Sequence, residues 1–229
     1  MYVIYTLEKI SESSYKVSGL KSYKYLKFMP ASRNDWFPTS IWHFTIANHQ
    51  TLNETLLQEI HEEQQRDRQG EKWSNVMGWH SVNDLHKRDR FAEFTNIINV
   101  NVLEVANFLQ WDLQKFSVNI TTCWAIVNGK LASNSLHNHP NSILSGVYYL
   151  KAPENCGGIF FNDPRPASQI IIPPVTEFNL WTHPKISYKP NEGTMLLFPS
   201  WLLHGVDMNM SEEVRIAISF NIGMSPLKS

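Results

Sequence analysis

The chain has 229 residues, with 20 Lys and Arg against 21 Asp and Glu and a formal net charge of −1. That balance offers no basic face for nucleic acid and no polybasic helix for a membrane surface. Hydrophobic residues make up 42% and charged residues only 18%, so one domain with a sizeable core or a deep pocket is expected.

No apolar run approaches the ~18 residues of a membrane-spanning helix. The opening segment, Met1 to Lys16, has no basic stretch leading into an apolar core, so no secretory leader is expected. Residues 1–35 are polar and rich in Tyr, Lys and Ser, with peripheral strands expected at Tyr2–Leu7 and Tyr15–Val17. Trp36–Ala47 alternates apolar and polar residues and predicts a strand with Pro38 near its start.

Residues 51–66 predict a helix, with Thr51 as N-cap and Glu54 as its capping-box partner. Leu52, Leu56, Leu57 and Ile60 form its apolar stripe, and His61 beside them is expected at the surface. Residues 67–89 show no clear periodicity and carry Trp73 and Trp79; a long aperiodic loop of this kind is a candidate lid. A second helix is predicted over 90–109, burying Phe91, Phe94, Ile97, Ile98, Val102, Val105 and Leu109.

From Ser117 the character changes to short β-rich runs separated by Gly, Pro, Asn and Asp. The runs are Ser117–Val127, Ile143–Leu150, Gly158–Phe161, Gln169–Ile172, Ile186–Tyr188, Thr194–Phe198 and Val214–Ile222. They predict an antiparallel sandwich or barrel, with the two helices covering one sheet. Cys123 and Cys156 form no CxxC pair. They suit a reducing compartment, so a cytoplasmic location is expected, with both thiols packed as small hydrophobes.

Three histidines in this half carry the chemistry. His137 and His139 stand two residues apart in SLHNHPNS, and an extended segment turns such neighbours to one side. His204 follows 65 residues after His139 (204 − 139), in FPSWLLHG. A jelly roll brings distant strand ends together at its mouth, and imidazole suits Fe, Zn, Cu and Ni. Arg215, 11 residues beyond His204 (215 − 204), interrupts the apolar strand VRIAISFNI. It either lies on an edge facing water or is buried and anchors an anion, for which its two-pronged guanidinium suits a carboxylate.

The segments HNHPNS, SGVYYL, GGIFFNDPR, EGTMLLFPSWLLHGV and EVRIAISFNI, with FPTSIW and SNVMGWHS upstream, resemble a 2-oxoglutarate/Fe(II) oxygenase family of marine bacteria and phages. The resemblance covers residues ~36 to ~223. It implies a mainly β, α+β chain: a double-stranded β-helix (jelly roll) over 116–223, with 1–115 as an N-terminal helical and strand extension of one oxygenase domain. It implies Fe(II) and 2-oxoglutarate as cofactors and a dioxygenase that hydroxylates a small-molecule or peptide substrate with release of succinate and CO2.

Under that resemblance His137, His139 and His204 are the catalytic metal ligands. Arg215 would hold the distal carboxylate of 2-oxoglutarate, with Tyr149 helping. Ser145 shares strand parity with Val147 and Tyr149 and joins the co-substrate group. Asn128 either orients a site histidine or starts a turn with Gly129.

One departure stands out. The superfamily triad is two histidines and a carboxylate, whereas the third position of the motif is His139 when counted from His137 and Asn141 when counted from His139. Either three histidines bind, or two bind with Asn141 or water. Asp163 is expected in a turn with Pro164, or behind the ligands. Arg165 is divided between an anionic substrate and the surface. Trp124, Trp79, His80 and Trp201 are core aromatics or cleft walls, and His183 a hairpin residue. The competing class is a cupin-like metal- or ligand-binding protein without oxygenase activity. A homodimer is the commonest assembly for such a chain.

Overall fold

The structure, a computed structural model, describes residues 6–11, 14–18, 26–27, 32–166, 170–171 and 173–227. The chain divides into two compact units, Met1–Pro38 and Thr39–Ser229. In the first, β1 (Thr6–Ser11), β2 (Ser14–Ser18) and β3 (Leu26–Lys27) form an antiparallel sheet in the order β1-β2-β3. The strand expected at Tyr15–Val17 falls within β2. Of the one expected at Tyr2–Leu7, residues Tyr2–Tyr5 lie outside the described residues.

The second unit begins with β4 (Trp42–Thr45) and α1 (His49–Arg66). Only this four-residue part of the strand expected over Trp36–Ala47 forms. Phe37 has a left-handed backbone (φ 62) and Pro38 brings no N–H to a ladder. α1 starts before Thr51, after Asn48, whose left-handed backbone (φ 53) turns the chain without a side-chain cap. Thr51 is therefore inside the helix, where its carbonyl accepts the Thr55 hydroxyl. The expected stripe is buried at Leu52, Leu56 and Ile60, and His61 is exposed.

Next come β5 (Asn75–Val76), β6 (Trp79–His80), 3-10 turns at Leu85–Lys87 and Asp89–Phe91, and α2 (Ala92–Phe108). α2 buries Phe94, Ile98, Val102, Val105 and Ala106. Leu109 lies past its end and is exposed.

The β-rich half supplies β7 (Phe116–Asn128), β8 (Ser133–His137), β9 (Leu144–Lys151), β10 (Ile159–Asn162), β11 (Lys185–Tyr188), β12 (Thr194–Pro199), β13 (His204–Val206) and β14 (Arg215–Pro226). They make a six-stranded sheet, β4-β12-β9-β14-β7-β6, and a five-stranded sheet, β11-β10-β13-β8-β5. β8 and β13 were not expected as strands. The strand expected at Gln169–Ile172 does not form across its described residues: Ile170 and Ile171 are exposed and in no strand, while Gln169 and Ile172 lie outside the described residues.

Strand alternation divides the apolar side chains into two cores. One face of the six-stranded sheet (Tyr148, Leu150, Met195, Leu197, Ile218, Phe220) packs against α1 and α2. The other face (Val147, Tyr149, Leu196, Phe198, Ala217) meets Ile159 and Phe161 of the second sheet. Phe94 of α2 ties the helical layer down, with ring centroids 5.1 Å from Tyr148 and 6.4 Å from Phe220. Tyr148 donates its hydroxyl to Asn53 Oδ1 at 2.6 Å, and Asn53 donates to the Leu150 carbonyl at 3.0 Å.

The segment over 67–89, a candidate lid in the sequence, is paired here with strands of both sheets. β5 pairs with β8 and β6 pairs with β7, so it closes the gap between the two sheets. Ser135 N–H donates to the Ser74 carbonyl, Ser81 N–H to the Ala125 carbonyl, and Cys123 N–H to the Asn83 carbonyl. Gly70 (φ 59) packs tightly here: a Cβ there would stand 2.5 Å from the His80 carbonyl oxygen. Among the described residues, no helix is long and apolar enough to cross a membrane.

Phe94→Ala should lower stability by about 3–5 kcal/mol, through lost burial and the cavity left behind. Urea unfolding followed by tryptophan fluorescence measures it. A loss below about 1 kcal/mol would show that the helical layer is not packed as described.

Candidate active site

A cavity of about 560 Å³ opens between the two sheets. β14 forms its floor with Arg215, Ala217, Ser219 and Asn221, all of one strand parity. Thr122, Trp124 and Ile126 of β7 and Val147 and Tyr149 of β9 continue it on either side. β13 and β8 supply His204 and His137 from the facing sheet, and Trp73, Ser74, His80 and Asn83 form the end wall.

The three histidines meet at one point. His204 and His137 lie directly opposite each other in the β13–β8 pairing. Ring centroids are 4.4 Å apart for His137 and His204, 5.0 Å for His137 and His139, and 5.2 Å for His139 and His204. One nitrogen from each lies within 4.8 Å of the others, as one metal ion requires. Two of the rings are keyed by backbone: His137 Nδ1 lies 2.7 Å from the Ser135 carbonyl and His204 Nδ1 2.8 Å from the Leu202 carbonyl. A carbonyl can only accept, so Nδ1 carries the proton in both and Nε2 keeps its lone pair. Among the described residues no backbone carbonyl bonds His139 in this way; its Nδ1 faces the Asn221 carboxamide at 3.5 Å.

Burial keeps all three neutral. It lowers His137, lowers His139 to about 4 and lowers His204 to about 3; the His137 charge adds to the last two effects. Neutral imidazole is the form that binds a metal.

Arg215 is only 3% exposed. Its Nη1 donates to the Cys156 carbonyl at 2.6 Å and the Gly157 carbonyl at 2.7 Å. Among the described residues no carboxylate pairs with it. Burial pulls its pKa down, with Tyr149, Cys156 and Asp207 opposing. A guanidinium nevertheless stays charged at any physiological pH. Tyr149, buried beside it, has its hydroxyl pKa pushed up by desolvation.

Other candidates fall elsewhere. Ser145 has the expected parity but does not line the cavity, because its hydroxyl donates to Asn221 Oδ1 at 2.7 Å. Asn128 is fully buried behind the wall and donates to Asn134 Oδ1, and Asn134 in turn to Ser74 Oγ. Asn141 lies in an exposed left-handed turn (φ 64), outside the histidine cluster. Asp163 pairs with Arg165 at 2.6 Å, away from the cavity. Trp79 packs in the helix-side core, donating to the Asp67 carbonyl. Trp201 is exposed, and His183 stacks on Phe178. Trp124 and His80 do line the cavity, stacked with centroids 5.5 Å apart. Thr122, Ser219 and Asn221 were missed, although strand parity with Arg215 and Trp124 marks all three.

Residues 122–221 match the family model described as "Putative 2OG-Fe(II) oxygenase". No curated protein matches the chain in sequence. Among solved structures, a Pseudomonas putida prolyl-4-hydroxylase aligns with TM-score 0.58 and 13% identity, over 81% of this chain and 92% of that one. HygX from Streptomyces hygroscopicus, solved with nickel, 2-oxoglutarate and hygromycin B bound, aligns with TM-score 0.57 and 12% identity, over 81% and 83%. The non-haem α-ketoglutarate-dependent epimerase SnoN of nogalamycin biosynthesis aligns with TM-score 0.59 and 13% identity, over 80% and 77%. The two sheets of this chain are a double-stranded β-helix, with helices packed on one sheet.

A group whose folded pKa is depressed leaves the unfolded chain binding more protons, so acid destabilises. The metal-free protein should lose thermal stability as pH falls from about 6.5 through about 4, the range set by His139 and, lower still, His204. A His139→Ala/His204→Ala variant should show a shallower dependence of Tm on pH. An unchanged slope would show that these imidazoles are not held neutral by burial.

Proposed function

We propose that this chain is an Fe(II)- and 2-oxoglutarate-dependent dioxygenase that hydroxylates a small-molecule or peptide substrate. The observation that carries the reading is the convergence of His137, His139 and His204 in the same cavity as a buried Arg215 that pairs with no carboxylate among the described residues. The donor set suits the metal: three neutral imidazoles bind borderline ions such as Fe(II) and leave coordination positions open. Arg215 suits the co-substrate, since a buried cation with no carboxylate at ion-pair distance among the described residues calls for an anion. The family model spans both groups.

In this reading His137, His139 and His204 would hold the ion. When bound, Fe(II) would let dioxygen oxidise 2-oxoglutarate to succinate and CO2 while one oxygen atom passes to the substrate as a hydroxyl. Arg215 would hold the distal carboxylate, with its Nη1 already fixed by the Cys156 and Gly157 carbonyls so that the remaining N–H groups need no reorientation. Tyr149 would add a neutral hydroxyl beside that carboxylate. Val147, Ile159, Phe198 and Ala217 would keep water from the reacting atoms. A cytoplasmic location belongs to the same reading, supported by two free, buried cysteines.

His204→Ala should abolish succinate formation from 2-oxoglutarate, including the slow turnover without substrate. Arg215→Ala should raise the apparent KM for 2-oxoglutarate roughly 10- to 100-fold, the worth of charge-assisted hydrogen bonds of about 1.5–3 kcal/mol. Arg215→Lys should not restore it, because a point charge lacks the fork. Wild-type KM in the Arg215→Ala variant, or succinate formation intact in His204→Ala, would remove the residue concerned from its role.

A further inference from the structure

Asn221 occupies an unusual place. It is 8% exposed, lies on β14, and its side chain touches three polar groups at once. Oδ1 accepts the Ser145 hydroxyl at 2.7 Å; Nδ2 lies 3.0 Å from Thr122 Oγ1 and 3.5 Å from His139 Nδ1. His139 is thus the one histidine of the three whose Nδ1 faces a side chain in place of a backbone carbonyl.

The difference has a chemical consequence. A backbone carbonyl dictates one tautomer, whereas a carboxamide can present either of two atoms. With Nδ2 toward the ring, Asn221 donates to Nδ1; Nε2 then carries the hydrogen and has no lone pair for a metal. With Oδ1 toward the ring, Nδ1–H is the donor and Nε2 is free. Both hydroxyls tolerate the change, since Ser145 can accept from Nδ2 and Thr122 can donate to Oδ1. Asn and Gln amide orientation follows the surrounding hydrogen-bond network, and a metal drawing on Nε2 would select the Oδ1-facing arrangement.

We propose that Asn221 is a positioning residue that turns its carboxamide oxygen to His139 Nδ1–H and so makes His139 the third ligand beside His137 and His204. The inference rests on the metal-binding reading above. Ser145 and Thr122 act through Asn221 by holding its amide in the plane that reaches His139. Ligand-orienting partners of this kind commonly change metal affinity by about 10–100-fold.

The test uses Co(II) with the full chain, without oxygen or 2-oxoglutarate. Proton NMR of the Co(II) protein counts exchangeable, hyperfine-shifted imidazole N–H signals, one for each ligand bound through Nε2. Wild type should show three. Asn221→Leu should show two, with Co(II) affinity lowered about tenfold or more. Asn221→Asp, which keeps an acceptor toward Nδ1–H, should restore three signals. Ser145→Ala, with minimal change in packing, should weaken Co(II) binding several-fold and guards against misfolding of Asn221→Leu. Equal signal counts and affinities in wild type, Asn221→Leu and Ser145→Ala would overturn the role of Asn221 while leaving the metal site in place. Wild type that binds no Co(II), or binds it as well after His204→Ala, would overturn the metal reading itself and this inference with it.

Discussion

The pairing of β13 with β8 is the contact on which the site depends. It sets His204 against His137, residues 67 apart in sequence (204 − 137), with ring centroids 4.4 Å apart. Strand side chains alternate faces, so a slip of one residue in either strand would carry its imidazole to the outer face. The register is held on both flanks: β10 pairs with β13, setting Phe161 opposite His204, and β5 pairs with β8. The wall over 67–89, stitched into both sheets, keeps the β8 edge in place. The helices contribute at one remove, by packing the back of the six-stranded sheet whose front face is the cavity floor.

Charge organises the rest of the cavity. Among the described lining residues, Arg215 is the one fixed cation and the other side chains are neutral at physiological pH, the histidines because burial lowers their pKa values. A carboxylate ligand would offset one unit of charge on a divalent ion; three imidazoles offset none. A divalent ion at the histidines and a guanidinium nearby would together attract a dianion strongly in a poorly hydrated cleft. A dicarboxylate such as 2-oxoglutarate meets both demands, one end at each cation. In the proposed reading, a third imidazole from His139 where a carboxylate is usual would be coherent with an anionic co-substrate.

Much of this was legible in the sequence because the features were chemically expensive. An HxH pair, a distant histidine and an arginine inside an apolar strand all need a reason to exist, and all four side chains line one cavity. What escaped notice was cheap or local. β8 (SNSLH) carries no apolar alternation, since it turns polar groups to the cavity, and β13 has only three residues. The run Gln169–Ile172 looked like a strand because it is apolar, yet Pro173 and Pro174 follow it and Ile170 and Ile171 are exposed. The capping-box pattern at Thr51 was real as a pattern, but a left-handed turn at Asn48 started the helix earlier. Asn221 was missed although parity with Arg215 places it in the cavity; nothing in its residue type announces contact with His139.

The central claim is that one cavity receives a metal at the histidines and a 2-oxo acid reaching from it to Arg215. Anaerobic titration of the Fe(II)-loaded protein with 2-oxoglutarate tests it most directly, followed by visible absorption. A saturable visible band that reports chelation of the iron by the keto acid is expected, absent when succinate replaces 2-oxoglutarate. A featureless spectrum at saturating 2-oxoglutarate, with iron demonstrably bound, would contradict it.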